Sequence, residues 1–285
     1  MKKLFLIANK LPLQVNDIDG KKELEPVLDG LDSGLKGFYE SFDIKWIGRA
    51  GVNIDEISEN EKIDLDNKFR KDNCIPIYLD QELRSAFLEG FCDNTIWPLF
   101  NYFTQNTKYY PANWEAYKKV NQLYFEVISK YINDDDILWV HDYHLMLLPK
   151  LIREKFPNVS IGYFQHIPFP SFEIFRFLPW RIELLEGILG ADLIGFHTYD
   201  YQRHFMSCVR RLLGNETVFN RIRLDERIVK VDAFPMGIDF EYFNNTAREL
   251  AKSTAKEESE IHKELKEYLK RAKNQKIILS IDRLD

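Results

Sequence analysis

The fold class is decided by residues 161–214, which read IGYFQHIPFPSFEIFRFLPWRIELLEGILGADLIGFHTYDYQRHFMSCVRRLLG. The stretch opens with the apolar run 161–164, long enough for a buried strand, and then reaches His166, Pro168 and Pro170. Neither a central strand nor a helix interior tolerates proline, so the strand must end near His166 and a loop must begin. In open parallel α/β sheets, ligands bind outside the carboxyl ends of the strands. This position makes His166 a candidate ligand-binding residue, and the alternative is a core histidine bonded to a backbone carbonyl.

Outward from this stretch, buried-strand patterns alternate with helix patterns. Strands are predicted at residues 4–8, 45–48, 74–79, 136–140, 161–164, 193–196, 228–233 and 277–281. Helices are predicted at residues 35–39, within 53–73, from Asp80 to residue 91, from Asn113 to residue 131, and at 147–155, 181–189 and 201–213, with Asp80 and Asn113 as N-caps. Residues 16–25 are expected to be a polar connection. Such alternation predicts an α/β fold with a mostly parallel sheet covered by helices on both faces.

Composition narrows the class of protein. Of 285 residues 45% are hydrophobic, which is ample for a large core, and the net charge of −6 gives no general reason to expect nucleic-acid or anionic-membrane binding. An anionic ligand must therefore be held by a local basic cluster. The odd number of cysteines, Cys74, Cys92 and Cys208, forms no metal or disulfide pattern and indicates a reducing compartment. No apolar run approaches the ~18 residues of a membrane span, so we expect a cytoplasmic protein.

A change of composition near the C-terminus suggests a domain boundary. Residues 244–274 are rich in Lys and Glu and resemble a solvated connector, and a buried-strand pattern follows at 277–281. We therefore expect an N-terminal domain over residues 1–243. Residues 244–285 would form a connector helix and the first strand of a second domain in a longer protein.

His141, Asp142 and His144 follow the predicted strand 136–140, again at a carboxyl end. On a turn this spacing need not bring the two imidazoles together, and nothing fixes a third ligand, so we predict no metal. We expect Asp142 to accept hydrogen bonds from hydroxyls of a polar ligand, with both histidines behind it or in the core. The alternative for Asp142 is a cap of the next helix.

Phosphate and sugar contacts have weaker signals. Lys10 after the first strand, with Gly30 and Gly34 before a helix, could cradle a phosphate, and the alternative is an ordinary turn with an exposed lysine. Trp97 could offer a flat face to a sugar, although aromatics in apolar runs are more often core. Arg283 follows a predicted strand and is a candidate phosphate contact.

Ordered motifs throughout the chain resemble one family. They are WVHDYHL (139–145), HIPFP (166–170), FRFLPWR (175–181), GADLIGFHT (190–198), FPMGID (234–239) and DRLD (282–285). Together they resemble the trehalose-6-phosphate synthases. The resemblance implies the N-terminal, acceptor-side half of a fold with two Rossmann-like domains. It also implies a retaining glycosyltransferase that moves glucose from UDP-glucose to glucose 6-phosphate, with no metal or other cofactor.

The resemblance also implies roles and partners. Asp142 would bind the acceptor sugar, His166 would lie beside the donor glucose at the reacting centre, Lys10 and Trp97 would line the acceptor pocket, and Gly30 and Arg283 would meet the donor phosphates. The implied partners are a sugar phosphate and a nucleotide sugar, with no nucleic acid or membrane, and a homo-oligomer is left open. Because the chain ends before the lysine-glycine pair that normally follows Arg-Leu-Asp, we expect it to be inactive alone.

Several positions depart from the family pattern in the first third of the chain. Lys10 replaces an arginine, Asp29 a glycine, Arg49 a tryptophan, Leu88 a tyrosine and Asn101 a histidine. Exchanging arginine for lysine replaces a bidentate phosphate fork with a point charge. Two interpretations follow: an active glycosyltransferase with altered phosphate contacts or a different acceptor, or a catalytically silent relative that serves as a binding or regulatory module.

Overall fold

The computed structural model describes residues 3–18, 21–27 and 43–253, together with Lys266 and Lys270. The chain divides into two compact units, Met1–Met236 and Gly237–Asp285. The boundary after residue 243 stays a prediction. The predicted helix 35–39 and strand 277–281 lie outside the described residues.

The first unit is built on a mostly parallel sheet. Its strands, together with a separate hairpin, are β1 (Leu4–Lys10), β2 (Leu13–Ile18), β3 (Lys21–Pro26), β4 (Ile44–Arg49), β5 (Cys74–Ile77), β6 (Ile137–His141), β7 (Ser160–Gln165), β8 (Leu193–Phe196), β9 (Thr217–Val218), β10 (Arg221–Arg223) and β11 (Ile228–Ala233). Nine of them form one sheet in the order β5-β4-β1-β6-β7-β8-β11-β10-β9, and β2 pairs with β3. Only the β11-β10-β9 edge of this sheet is antiparallel. The predicted fold class is confirmed.

Helices connect the parallel strands. They are α1 (Glu59–Lys71), α2 (Gln81–Ser85), a π-helical segment (Ala86–Ile96), α3 (Trp97–Phe100), α4 (Pro111–Ile128), α5 (Leu148–Lys155), α6 (Phe172–Phe175), α7 (Arg181–Ile188), α8 (Tyr199–Leu212) and, in the second unit, α9 (Phe240–Ser253). Within the described ranges, no helix has the length and apolarity needed to cross a membrane.

The central strand β1 shows why helices cover both faces. Its side chains alternate between two cores, with Phe5 and Ile7 in the larger and Leu4, Leu6 and Ala8 in the smaller. All are buried, because successive side chains of a strand point to opposite faces of the sheet. A continuous apolar run is therefore the expected sequence of this strand.

One predicted helix start is confirmed and another is wrong. The Asp80 carboxylate accepts a hydrogen bond from the Leu83 amide at 2.7 Å, which makes Asp80 the N-cap of α2. Asn113 is not an N-cap, because α4 begins two residues earlier, at Pro111. The same helix ends at Ile128 rather than at residue 131. A proline in the first turn costs little, since its missing N–H would have no partner there.

The helix predicted over residues 80–91 continues through the π-helical segment into α3. Pro98 in α3 has no N–H to donate to the Asn94 carbonyl one turn back, and that carbonyl instead accepts from Lys108 N at 2.8 Å. The Trp97 amide bonds five residues back, to Cys92. The wider π turn thus accommodates the proline without ending the helix.

The polar connection predicted at residues 16–25 is instead part of the β2–β3 hairpin. Val15 pairs with Leu24, and both pack on the smaller core. Their alternation with polar neighbours is a strand pattern, although its apolar residues are few.

Strand order places the ligand-binding edge. From β1, the chain adds β4 and β5 on one side and then β6, β7 and β8 on the other. The order therefore reverses between β1 and β6, and the crevice outside their carboxyl ends is where open α/β sheets bind ligands.

Candidate active site

Four polar side chains stand at the carboxyl ends of four adjacent strands, namely Lys10 (β1), Arg49 (β4), Asp142 (β6) and His166 (β7). Lys10 is paired with Arg49 in the β1–β4 register. Because the carboxyl ends of parallel strands share one edge, the structure brings Lys10, Asp142 and His166 together as their strand positions predict. Arg49 lies at the same edge, although the sequence analysis noted it only as a difference from the family pattern and not as a site residue.

Asp142 has a strained backbone, with φ 70° and ψ 170°. This region is almost reserved for glycine and costs of order 1–3 kcal/mol for other residues. Two hydrogen bonds to the next strand hold it there. Its amide donates to Phe164 O at 2.7 Å, and its Oδ1 accepts from the His166 amide at 3.1 Å. Strain held this firmly is typical of a functional residue.

The Asp142 side chain is only 20% exposed. Burial raises the pKa of this carboxyl to about 6, against the opposing effect of backbone hydrogen bonds from Tyr143, His166 and Ile167. The carboxylate can therefore ionise near neutral pH and accept hydrogen bonds from ligand hydroxyls.

His166 is packed among aromatic rings. Its Nε2 lies 3.0 Å from Nδ1 of His141. The centroids of the Phe164 and His197 rings lie 4.7 and 5.5 Å from that of His166. His197 follows β8, and sequence analysis did not select it. The rule that selected His166, a histidine where a buried strand stops and a loop begins, would have found it.

His141 is buried and His144 is largely buried beside Asp142, and their place behind it relative to a ligand stays a prediction. Burial and the neighbouring His166 lower the pKa of His141 well below its usual value, and burial with nearby Arg49 and Lys10 lowers the pKa of His144 to about 3. His144 Nδ1 is 4.0 Å from Asp142 Oδ2. Both imidazoles are thus neutral near pH 7. In the part of the chain that the structure describes, no group of His, Cys, Asp and Glu gathers to hold a metal.

Arg49 is a buried cation with no counter-ion among the residues that the structure describes. Its side chain is 6% exposed, and Nε donates to Asn9 Oδ1 at 2.9 Å. Nη2 is buried without a hydrogen-bond partner, and no carboxylate of residues 3–18, 21–27 or 43–253 lies within ion-pair distance. Burial, reinforced by repulsion from Arg84, lowers its pKa. An anion bound here would compensate a charge that is costly to bury alone.

Trp97 is not a core residue, because it is 38% exposed and stacks on Phe103 with ring centroids 6.1 Å apart. Leu88 is partly buried and packs against the larger core. Asn101 uses its amide locally, since Nδ2 donates to the Trp97 carbonyl at 2.8 Å. Gly30, Asp29 and Arg283 lie outside the described residues.

Comparison with known proteins agrees with this architecture. The family model for Glycosyltransferase family 20 matches residues 2–285. The UDP-forming alpha,alpha-trehalose-phosphate synthase of Emericella nidulans is 40% identical over 289 residues, covering 99% of this chain and 55% of the relative. The 56 kDa subunit of the Kluyveromyces lactis synthase is 41% identical over 290 residues, covering 99% and 57%. The chain thus spans little more than half the length of these curated relatives.

Solved structures share the fold. The N-terminal domain of Candida albicans trehalose-6-phosphate phosphatase is 31% identical with a TM-score of 0.73, covering 96% of this chain and 55% of that one. A UDP-forming synthase from Burkholderia xenovorans is 24% identical with a TM-score of 0.77, covering 100% and 57%, and shows the fold alone. The chain belongs to glycosyltransferase family 20, in which it is similar to the N-terminal part of trehalose-phosphate synthases.

Proposed function

We propose that this chain is the acceptor-binding domain of a glycosyltransferase that moves glucose from UDP-glucose to glucose 6-phosphate. The observation that carries the proposal is the convergence of Lys10, Arg49, Asp142 and His166 at the topological switch point. A sugar phosphate carries hydroxyls and one anionic group. For this acceptor the edge offers a carboxylate for the hydroxyls and cations for the phosphate, and the imidazole of His166 is left for the donor.

The phosphate would lie against the cations. Arg49 has a buried Nη2 with no hydrogen-bond partner among the residues described, and Lys10 is exposed at the end of the paired strand. A guanidinium can form charge-assisted bonds with phosphate oxygens, which supports Arg49 as an anchor that takes over from the family's arginine at Lys10.

The sugar would lie against Asp142, whose carboxylate accepts hydrogen bonds from the acceptor hydroxyls and orients them. Transfer would occur on the front face of the donor without a covalent enzyme intermediate, with cations stabilising the leaving diphosphate. His166, Gly30 and Arg283 are proposed donor contacts. UDP-glucose is proposed as a substrate, with no separate cofactor.

The test is a calorimetric titration of glucose 6-phosphate into the 285-residue chain, with glucose as the ligand control. We expect saturable binding of the phosphate ester, much weaker binding of glucose, and loss of binding in Asp142→Ala. Equal affinity of the wild type and Asp142→Ala for glucose 6-phosphate would contradict the proposed site.

A second candidate is a binding or regulatory module without catalysis. It is supported by Leu88, which offers no phosphate-binding hydroxyl, and by the likeness to a domain that carries the name of a phosphatase. A Lys10→Arg, Leu88→Tyr double variant discriminates between the two candidates. If only the double variant binds glucose 6-phosphate, the native pocket has lost this acceptor and the module is favoured.

A further inference from the structure

A pair of histidines links the ends of β6 and β7. His141 Nδ1 and His166 Nε2 lie 3.0 Å apart, and their rings are nearly parallel, at 24°. Two neutral imidazoles at this distance form one hydrogen bond, so one nitrogen carries the proton and the other accepts it. The direction of this bond fixes the tautomers of both rings.

The surroundings of His141 decide the direction. The side chain is buried, at 2% exposed, and its burial holds it neutral. Its other nitrogen, Nε2, is also buried and has no hydrogen-bond partner among the residues that the structure describes. Among the described rings the nearest to His141 is that of Trp139, with centroids 4.7 Å apart, and an indole offers no lone pair to an N–H donor.

Two arrangements are open to His141. If its proton were on Nε2, a buried N–H would lack an acceptor. If the proton is on Nδ1, it is donated to His166, and Nε2 is left as an unprotonated nitrogen. Buried N–H groups without partners are rarer in proteins than under-satisfied acceptors, so the second arrangement is preferred.

We propose that His141 is a positioning residue that holds His166 in the neutral tautomer protonated on Nδ1. His141 donates from Nδ1 to His166 Nε2, and Asp142 fixes the backbone of His166 by accepting its amide at 3.1 Å. The ring nitrogen that His141 does not touch then carries an N–H. On the proposed function, on which this role rests, His166 would donate a hydrogen bond to an oxygen of the donor sugar.

The test is a long-range proton–nitrogen correlation spectrum of the full chain, labelled with ¹⁵N-histidine, at mildly alkaline pH. Free neutral histidine favours the proton on Nε2, so the Nδ1–H tautomer is diagnostic. His204 is an internal reference, because its Nδ1 lies 3.0 Å from the Phe169 carbonyl oxygen, which can only accept. Loss of a signal in His166→Gln assigns His166.

We expect His166 to show the His204 pattern, with Nδ1 protonated, and to revert toward Nε2–H in His141→Leu. A matched His204→Leu variant should leave the His166 signals unchanged. Wild-type His166 protonated on Nε2 would overturn the proposal, and this spectrum decides even if His141→Leu does not fold. The spectrum needs no ligand, so failure to bind glucose 6-phosphate would sink the proposed function and leave the tautomer result standing.

Discussion

Asp142 Oδ1 accepts a hydrogen bond from the backbone amide of His166 at 3.1 Å, and this bond ties the ends of β6 and β7 together at the ligand-binding edge. The carboxylate thus has two tasks: it fixes the loop that carries His166 and faces the proposed ligand. Single substitutions at this edge can change the charge, the backbone strain or the strand packing one at a time.

The charge of Asp142 makes stability depend on pH. Its pKa is raised to about 6 in the folded protein, so the folded state holds a proton that the unfolded chain has released above pH ~4. This contribution favours folding at low pH and is lost as pH rises from about 4 to about 6. Since one pKa unit is worth ~1.4 kcal/mol and the pKa rises from its ordinary value near 4 to about 6, Asp142→Asn should be more stable than wild type at pH 7 by roughly 3 kcal/mol.

Urea unfolding at several pH values checks this. The gain from Asp142→Asn should be largest at pH 7 and shrink toward pH 4. A gain that is the same at every pH would rule out titration of Asp142 as its cause. Asp93→Asn offers a second carboxyl with a raised pKa, on a more exposed residue, as a comparison.

The positive φ of Asp142 predicts an unusual order of stabilities. At φ 70° a glycine is unstrained, while any side chain with a Cβ is not. Asp142→Gly should therefore be more stable than Asp142→Ala by about 1 kcal/mol, although glycine normally weakens structure. The check is denaturant unfolding of both variants. An alanine variant as stable as the glycine variant would show that the backbone strain is not there.

Arg49→Met should separate binding from stability. Losing a charge-assisted hydrogen bond of ~1.5–3 kcal/mol should weaken glucose 6-phosphate binding about 10- to 100-fold. The unfolding free energy should change little, because the buried guanidinium has no counter-ion within the described part of the chain and methionine fills similar space. Calorimetry and urea unfolding measure the two effects. Arg70→Met, on the exposed side of α1, is the control and should leave binding unchanged.

Gly48 controls the position of Lys10. A Cβ at Gly48 would lie 2.7 Å from the Lys10 carbonyl carbon, so Gly48→Ala must push the end of β1 away. We expect a loss of roughly 1–3 kcal/mol of stability together with weaker sugar-phosphate binding.

Gly162→Ala is the matched control for Gly48. Its Cβ would meet the Trp139 ring at 3.5 Å, an ordinary contact, so both stability and binding should change little. Thermal unfolding and calorimetry measure both variants. Equal losses in the two variants would show that close approach of β4 to β1 is not the cause.

Sequence patterns could predict those site residues whose position depends only on lying at the end of a parallel strand. His166 and Asp142 follow continuous apolar runs, and such runs end at the ligand-binding edge of a parallel sheet whatever the neighbouring strands are. Trp97 was ambiguous because the same apolar run describes a core residue and the start of a partly exposed helix turn.

The contacts across strands could not be predicted in the same way. The His141–His166 bond depends on the β6–β7 register, and the isolation of Arg49 depends on what packs around the end of β4. The positive φ of Asp142 has no sequence signal, since aspartate adopts many conformations. The hairpin of β2 and β3 was missed because few of its residues are apolar.

The position of β1 also sets the order in which the molecule can assemble. Leu4 pairs with Ile44 on one side and with Ile137 on the other. The second edge of β1 therefore has no partner strand until the chain has been synthesised beyond residue 137. Closing such long loops is slow, and parallel pairing supplies no local shortcut. During synthesis the edge of β1 that pairs with β6 therefore stays unpaired until residues 137–141 have been made. The crevice between Lys10 and Asp142 forms only after β6 has paired with β1. A ligand bound there can therefore stabilise the complete sheet but cannot assist the early steps of folding.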